Sequence, residues 1–123
     1  MIVITGGAGF IGSAFAWKCN LEGRSDLIIV DNIQKNEKWR NLVSIQYHDY
    51  LHKSDFIEQI ITGTFSHKVD AIVHMGACSA TTEMDMDYLM ENNYRYTKIL
   101  AEWCLKNGVR FIYASSAATY GNG

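Results

Sequence analysis

Thr5-Gly6-Gly7-Ala8-Gly9-Phe10-Ile11-Gly12 is the stretch that decides the fold. It follows the apolar run Met1-Ile2-Val3-Ile4 directly. It opens a helical pattern, Ile11 to Leu21, that carries Ala14, Phe15, Trp17 and Leu21 and stops at Gly23. Strand, glycine turn and helix in succession are the context in which such glycines bind a dinucleotide. Gly6 permits the tight turn, Gly9 lets the backbone approach a pyrophosphate, and Gly12 lets the helix pack on the strand. The helix start then offers free N–H groups and its positive dipole end to the anion. Asp31 closes the next apolar run, Leu27-Ile28-Ile29-Val30. About 20 residues past the glycines, such an acid accepts hydrogen bonds from an adenosine ribose and favours NAD. Lys35, Lys38 and Arg40 follow it and could neutralise a 2′-phosphate, which favours NADP. On the residues alone the two cofactors stand even.

Further apolar runs continue the alternation. Leu42-Val43-Ser44-Ile45 is a weak third strand, Val69 to His74 a fourth, and Val109 to Ala114 a fifth. They are β-branched and lack strict alternation, as buried parallel strands do. A second helix, capped by Ser54 or Asp55, turns Phe56, Ile57, Ile60 and Ile61 inward and stops at Gly63. A third runs from about Met84 to Lys106 with Gly108 just beyond. The order β-α-β-loop-β-α-β-α-β forces crossover connections. The expected fold class is therefore α/β, a Rossmann-like doubly wound parallel sheet ending after the fifth strand. The chain of 123 residues makes one dinucleotide-binding domain, residues 1–123. Asn32 to Asn41 is polar, lacks a helix period and reads as a functional loop.

Composition narrows the function. Hydrophobic residues make up 48% and charged residues 20%, which supports a packed core rather than disorder. Eleven basic residues against 13 acidic ones give a net charge of −2. That excludes an electrostatic nucleic-acid binder and offers no polybasic patch for a membrane. No apolar run approaches the roughly 20 residues of a membrane span, and no basic leader precedes the first strand. Cys19, Cys78 and Cys104 are odd in number and far apart, so no disulfide framework is expected and a reducing cytoplasm is the natural compartment.

Other segments carry candidate chemistry. His74-Met75-Gly76-Ala77-Cys78-Ser79 ends the fourth strand, on the edge where such sheets bind ligands. Gly76 and Ala77 leave room for a cofactor. Cys78 has no matching base and reads as a small apolar wall rather than a nucleophile. His48-Asp49-Tyr50-Leu51-His52 imitates a zinc helix motif but follows a strand and lacks a third ligand, so no metal is expected. Ala114-Ser115-Ser116-Ala117-Ala118-Thr119-Tyr120-Gly121 places hydroxyls at the end of the fifth strand, where a substrate oxygen could be held.

With the glycine loop, this last stretch resembles the extended short-chain dehydrogenase/reductase superfamily. Within it, the chain is similar throughout to the ADP-L-glycero-D-manno-heptose 6-epimerase family. The resemblance is carried by Val30-Asp31-Asn32, Asn41-Leu42-Val43, Asp49-Tyr50 with Lys53 and Asp55-Phe56, Gly76-Ala77-Cys78-Ser79-Ala80-Thr81-Thr82-Glu83, Asn92-Asn93-Tyr94 and Tyr113 to Gly121. It implies a cofactor site of Phe10 and Ile11 at the phosphates, Asp31 and Asn32 at the adenosine side, and Lys38 and Lys53 completing it. Met75, Gly76, Ala77, Cys78 and Ser79 would line the cofactor, Asn92 would hold it from the long helix, and Ser116 would be catalytic. Met75 stands where the resemblance leads one to expect an acid.

The resemblance tips the cofactor to NADP and makes Lys38 the phosphate partner. It implies a cytoplasmic homo-oligomer, a pentamer. The reaction would be redox epimerisation of an ADP-heptose at C6, supplying the lipopolysaccharide core. The superfamily's Tyr-x-x-x-Lys, last strands and substrate domain would fall beyond Gly123, so residues 1–123 are expected to be an incomplete dinucleotide-binding domain, inactive alone. Another nucleotide-sugar epimerase or dehydratase of the superfamily is one alternative, and a non-catalytic dinucleotide-binding module is another. A dehydratase would want acids after the serine, where Ala117 and Ala118 stand.

Overall fold

A computed structural model describes residues 1–32, 38–75 and 86–113. Strands β1 (Ile2–Thr5), β2 (Leu27–Asp31), β3 (Asp49–His52), β4 (Ala71–His74) and β5 (Arg110–Tyr113) form one sheet in the order β3-β2-β1-β4-β5. Every pairing is parallel. Among the described residues three α-helices accompany the strands: α1 (Phe10–Leu21), α2 (Lys53–Thr62) and α3 (Met86–Asn107). This is the expected Rossmann-like, doubly wound sheet. The chain crosses over between β3 and β4, so the strand order reverses at β1, and a ligand crevice forms at such a reversal.

The two faces have separate cores because side chains alternate along each strand. Val3, Ile28, Val30 and Ile72 point to one face, where Phe56 and Ile60 of α2, Phe65, and Leu100 and Cys104 of α3 cover them. Ile4, Leu27 and Ile29 point to the other, beneath Ala16 and Cys19 of α1 and beside Leu42 and Ile45. Strand β2 is buried along its whole length, which explains why Leu27-Ile28-Ile29-Val30 shows no alternation. Burying one such side chain is worth ~1.5–3 kcal/mol. No helix among the described residues is long and apolar enough to cross a membrane.

Three local expectations are corrected. Leu42-Val43-Ser44-Ile45 is not a strand. Leu42 ends a 3-10 helix, Lys38–Leu42, and Leu42 and Ile45 are apolar because they pad the face under α1. That 3-10 helix also occupies part of the segment read as a loop. The third strand is instead Asp49–His52, an edge strand only partly covered. Finally, α2 is capped one element earlier than Ser54 or Asp55: His52 is its N-cap, and its side chain accepts the Ser54 N–H.

Candidate functional site

The register brings Thr5, Asp31, His52, His74 and Tyr113 to one edge of the sheet, the ends where the strands run out. The glycine loop crosses this edge. Gly6 turns the chain with φ of 69°, and its N–H donates to Val30 O at 2.7 Å. Gly9 is the N-cap of α1, with no side-chain hydrogen bond and no acid in the first turn. The exposed Phe10 and Ile11 therefore start a helix whose N–H groups have no side-chain acceptor, which suits an anion. Gly12 is buried against the loop. A Cβ on it would overlap Gly6 O outright and meet Gly6 C and Gly7 Cα at 2.8 Å.

Asp31 has a structural role that its place after the glycines did not announce. It is 6% exposed, and its Oδ2 accepts the Ala8 N–H of the glycine loop at 2.9 Å. Its Oδ1 accepts the Asn32 N–H at 2.6 Å. Asn41 Nδ2 holds the same loop residue from the other side, donating to Ala8 O at 2.8 Å. The carboxylate thus fixes the glycine turn that leads into α1. Lys53 begins α2 with its ammonium 5.5 Å from the Tyr96 ring centroid, and the Tyr96 hydroxyl donates to Lys53 O at 3.1 Å. Asp31, Asn32, Lys53 and the loop glycines Gly6, Gly9 and Gly12 therefore share one edge.

Met75 leaves β4 at the same edge. Its N–H reaches Thr5 O at 3.1 Å and Thr5 Oγ1 at 3.0 Å. Thr5 Oγ1 lies 2.6 Å from His74 Nδ1, and His74 Nε2 lies 3.0 Å from Thr97 Oγ1. Thr5 Oγ1 accepts the Met75 N–H and faces the imidazole at the same time, while the second ring nitrogen faces a hydroxyl of α3. One imidazole thus joins β1, β4 and α3, stacked against Tyr96, Phe111 and Tyr113.

Burial, and secondarily the Lys53 charge, lowers the His74 pKa from 6.5 to about 4. The unfolded chain therefore binds this proton first as pH falls. The group leaves stability unchanged above about pH 6.5 and costs about 3 kcal/mol by pH 4. Urea unfolding at about pH 7 and about pH 4.5 checks this. The wild-type loss should exceed that of His74→Gln, and equal losses would count against it.

Several site residues fall elsewhere. Gly76, Ala77, Cys78, Ser79 and Ser116 lie outside the described residues, as do the side chains of Lys38 and Asn92. His48 stands just before β3 and His52 ends it, so the two are not on one helix face. His48 packs edge-on to His67, while His52 caps α2. No group of three potential metal ligands occurs among the described residues.

A family model described as the NAD dependent epimerase/dehydratase family matches residues 2–123. The chain belongs to that family. Among curated relatives, ADP-L-glycero-D-manno-heptose-6-epimerase of Nitratidesulfovibrio vulgaris is 57% identical over all 123 residues, and the chain covers 38% of it. The protein of the same description from Fusobacterium nucleatum is 50% identical, with 37% of it covered. A crystal structure of UDP-galactose 4-epimerase superposes with a TM-score of 0.70 at 32% identity, over 99% of this chain and 40% of that one. The chain thus spans well under half the length of these relatives and fits their N-terminal part.

Membership in the NAD dependent epimerase/dehydratase family accords with the glycine loop at the strand reversal. Reading the sequence by motif missed Thr5, Gly7, His52, Tyr96 and Thr97. Gly7 had a detectable signal, an extra glycine inside the turn; its Cβ would meet Ile29 Cγ2 at 2.9 Å and Ile4 O at 3.0 Å. The others carry no local signal, because their partners lie on distant segments.

Proposed function

We propose that the protein carrying this chain converts ADP-D-glycero-D-manno-heptose to its L-glycero epimer, using NADP. The observation that carries the reading is the 57% identity over the whole chain to an ADP-L-glycero-D-manno-heptose-6-epimerase. The glycine cradle and the uncapped α1 terminus fit a pyrophosphate. A dinucleotide held there would supply reversible hydride transfer at C6, which inverts that centre with no net oxidation of the sugar. Residues of this chain do the rest. Gly9, Phe10, Ile11 and Gly12 receive the phosphates through backbone N–H groups. Asp31 holds the glycine loop, and Asn32 and Lys53 face the adenosine half. Thr5 fixes Met75 at the head of the segment Met75 to Ser79, which lines the cofactor, and Asn92 holds it from α3. Ser116 donates its hydroxyl to the C6 oxygen as that oxygen changes between alcohol and carbonyl. The same reading makes the enzyme a cytoplasmic homo-oligomer.

The test is to incubate the full-length protein with ADP-D-glycero-D-manno-heptose and NADP and resolve the epimers. Turnover of UDP-galactose in its place would support the reading suggested by the 32% identical UDP-galactose 4-epimerase. Binding of the dinucleotide with no turnover of either sugar would leave a binding module. Lys38 supplies the charge for the 2′-phosphate. Lys38→Ala should weaken NADP by about 1–3 kcal/mol more than NAD, the scale of one charge-assisted contact. Equal losses in calorimetric titrations with each cofactor would remove Lys38 from the phosphate.

A further inference from the structure

His52 stands opposite Asp31 in the sheet register, and its ring reaches forward to Asn32. Its two nitrogens have different neighbours. Nδ1 receives the backbone N–H of Ser54 at 3.2 Å, and Ser54 Oγ lies 2.8 Å from it. A backbone N–H can only donate, so Nδ1 carries no proton and Nε2 does. Nε2 lies 3.0 Å from the Asn32 side chain and must donate, so the atom facing it is the amide oxygen Oδ1. The Asn32 backbone is held as well, through its N–H to Asp31 Oδ1 at 2.6 Å, and the Asp31 carbonyl is held by the Tyr50 hydroxyl at 2.8 Å. With Oδ1 engaged, the group the amide can turn to a ligand past the end of β2 is its NH2, a pure donor.

We propose that His52 is a positioning residue that fixes Asn32 with its NH2 toward the ligand, and so favours a cofactor presenting only acceptors there, the 2′-phosphate of NADP. This rests on the dinucleotide reading above and deepens it. A ribose 2′-hydroxyl both donates and accepts, so it meets either orientation of the amide equally well. A phosphate has only acceptor oxygens and is repelled by an amide oxygen. The preference for NADP thus has a neutral source at His52, separate from the Lys38 charge.

The two jobs of His52 can be separated in the full-length protein. Asparagine places an acceptor near the Nδ1 position but is too short to reach Asn32, so His52→Asn keeps the cap of α2 and frees the amide. Glutamine places a donor near the Nε2 position, so His52→Gln keeps the contact with Asn32 and weakens the cap. His52→Asn should weaken NADP about 3- to 15-fold, the range for one net hydrogen bond. NAD should stay within about twofold, and Tm should hold. His52→Gln should lower Tm and leave the NADP-to-NAD ratio intact. In 15N spectra of the imidazole, wild-type His52 should show the Nε2–H form. Three results would overturn the proposal: an unchanged NADP-to-NAD ratio in His52→Asn, a ratio that simply follows Tm across both variants, or the Nδ1–H form. If wild-type protein binds neither NADP nor NAD, the dinucleotide reading fails, and this inference fails with it. An unchanged ratio with wild-type binding intact fails this inference alone.

Discussion

Gly12→Ala should abolish useful dinucleotide binding and lower stability together. The added methyl has nowhere to go. Its nearest neighbours are Gly6 O, Gly6 C and Gly7 Cα, all backbone, so no side chain can swing aside. Either α1 lifts from β1 or the turn reopens. Overpacking of this kind costs about 1–3 kcal/mol, and backbone neighbours put the expected loss near the top of that range. Moving the first turn of α1 also moves the N–H groups proposed to receive the phosphates, so affinity should fall at least about 100-fold for a displaced anion site. Gly9→Ala is the control. Its Cβ would meet only Gly6 O, at 3.3 Å, so its stability should change little while the methyl intrudes on the phosphate approach. Urea unfolding of the full-length protein, paired with cofactor titration, reads both quantities. A Gly12→Ala protein with native stability and affinity would mean that the helix does not pack on the turn as described.

The second large effect is expected at Ser116. A hydroxyl aimed at an oxygen that changes between alcohol and carbonyl binds the transition state better than the ground state. Ser116→Ala in the full-length protein should therefore cut turnover by about 10²–10³-fold, the scale of one lost oxyanion donor. Cofactor affinity should stay within about twofold, since the hydroxyl would touch substrate alone and no hydrogen bond to the cofactor, each worth about 0.5–1.5 kcal/mol, would be lost. Ser115→Ala should be mild, because the proposed function gives the contact with the substrate oxygen to Ser116. Turnover that survives Ser116→Ala and collapses in Ser115→Ala would shift the assignment by one residue.

The glycine loop and the buried strands were legible because their signals are local. Four consecutive apolar residues in Leu27–Val30 need only their own burial to read as β2, and the glycines need only their neighbours. The third strand was not legible, and the reason is its place in the sheet. Asp49–His52 lies at an edge, half covered, and its composition follows its surroundings. Leu42 and Ile45 looked more strand-like because padding a helix face also selects apolar residues. His74 was visible as a strand end, yet its part in joining Thr5 to Thr97 depends on segments far apart in sequence. His52 was read against a metal motif. Its identity instead answers a helix cap on one nitrogen and an asparagine on the other, two demands that no local pattern encodes.

The grip of Asp31 on Ala8 bears on how cofactor choice could be retuned. In many dinucleotide folds the acid ending β2 acts as an address label, and exchanging it redirects the protein from one cofactor to the other. Here that carboxylate is a structural rivet between the second strand and the glycine turn. An engineer who replaces Asp31 to change cofactor would loosen the platform that either cofactor needs. On the proposed reading the adjustable positions would be those that meet the ribose side without holding the turn, Asn32 with His52 behind it, and Lys38. Drift in cofactor preference among related chains should therefore accumulate at those positions, with the acid left in place.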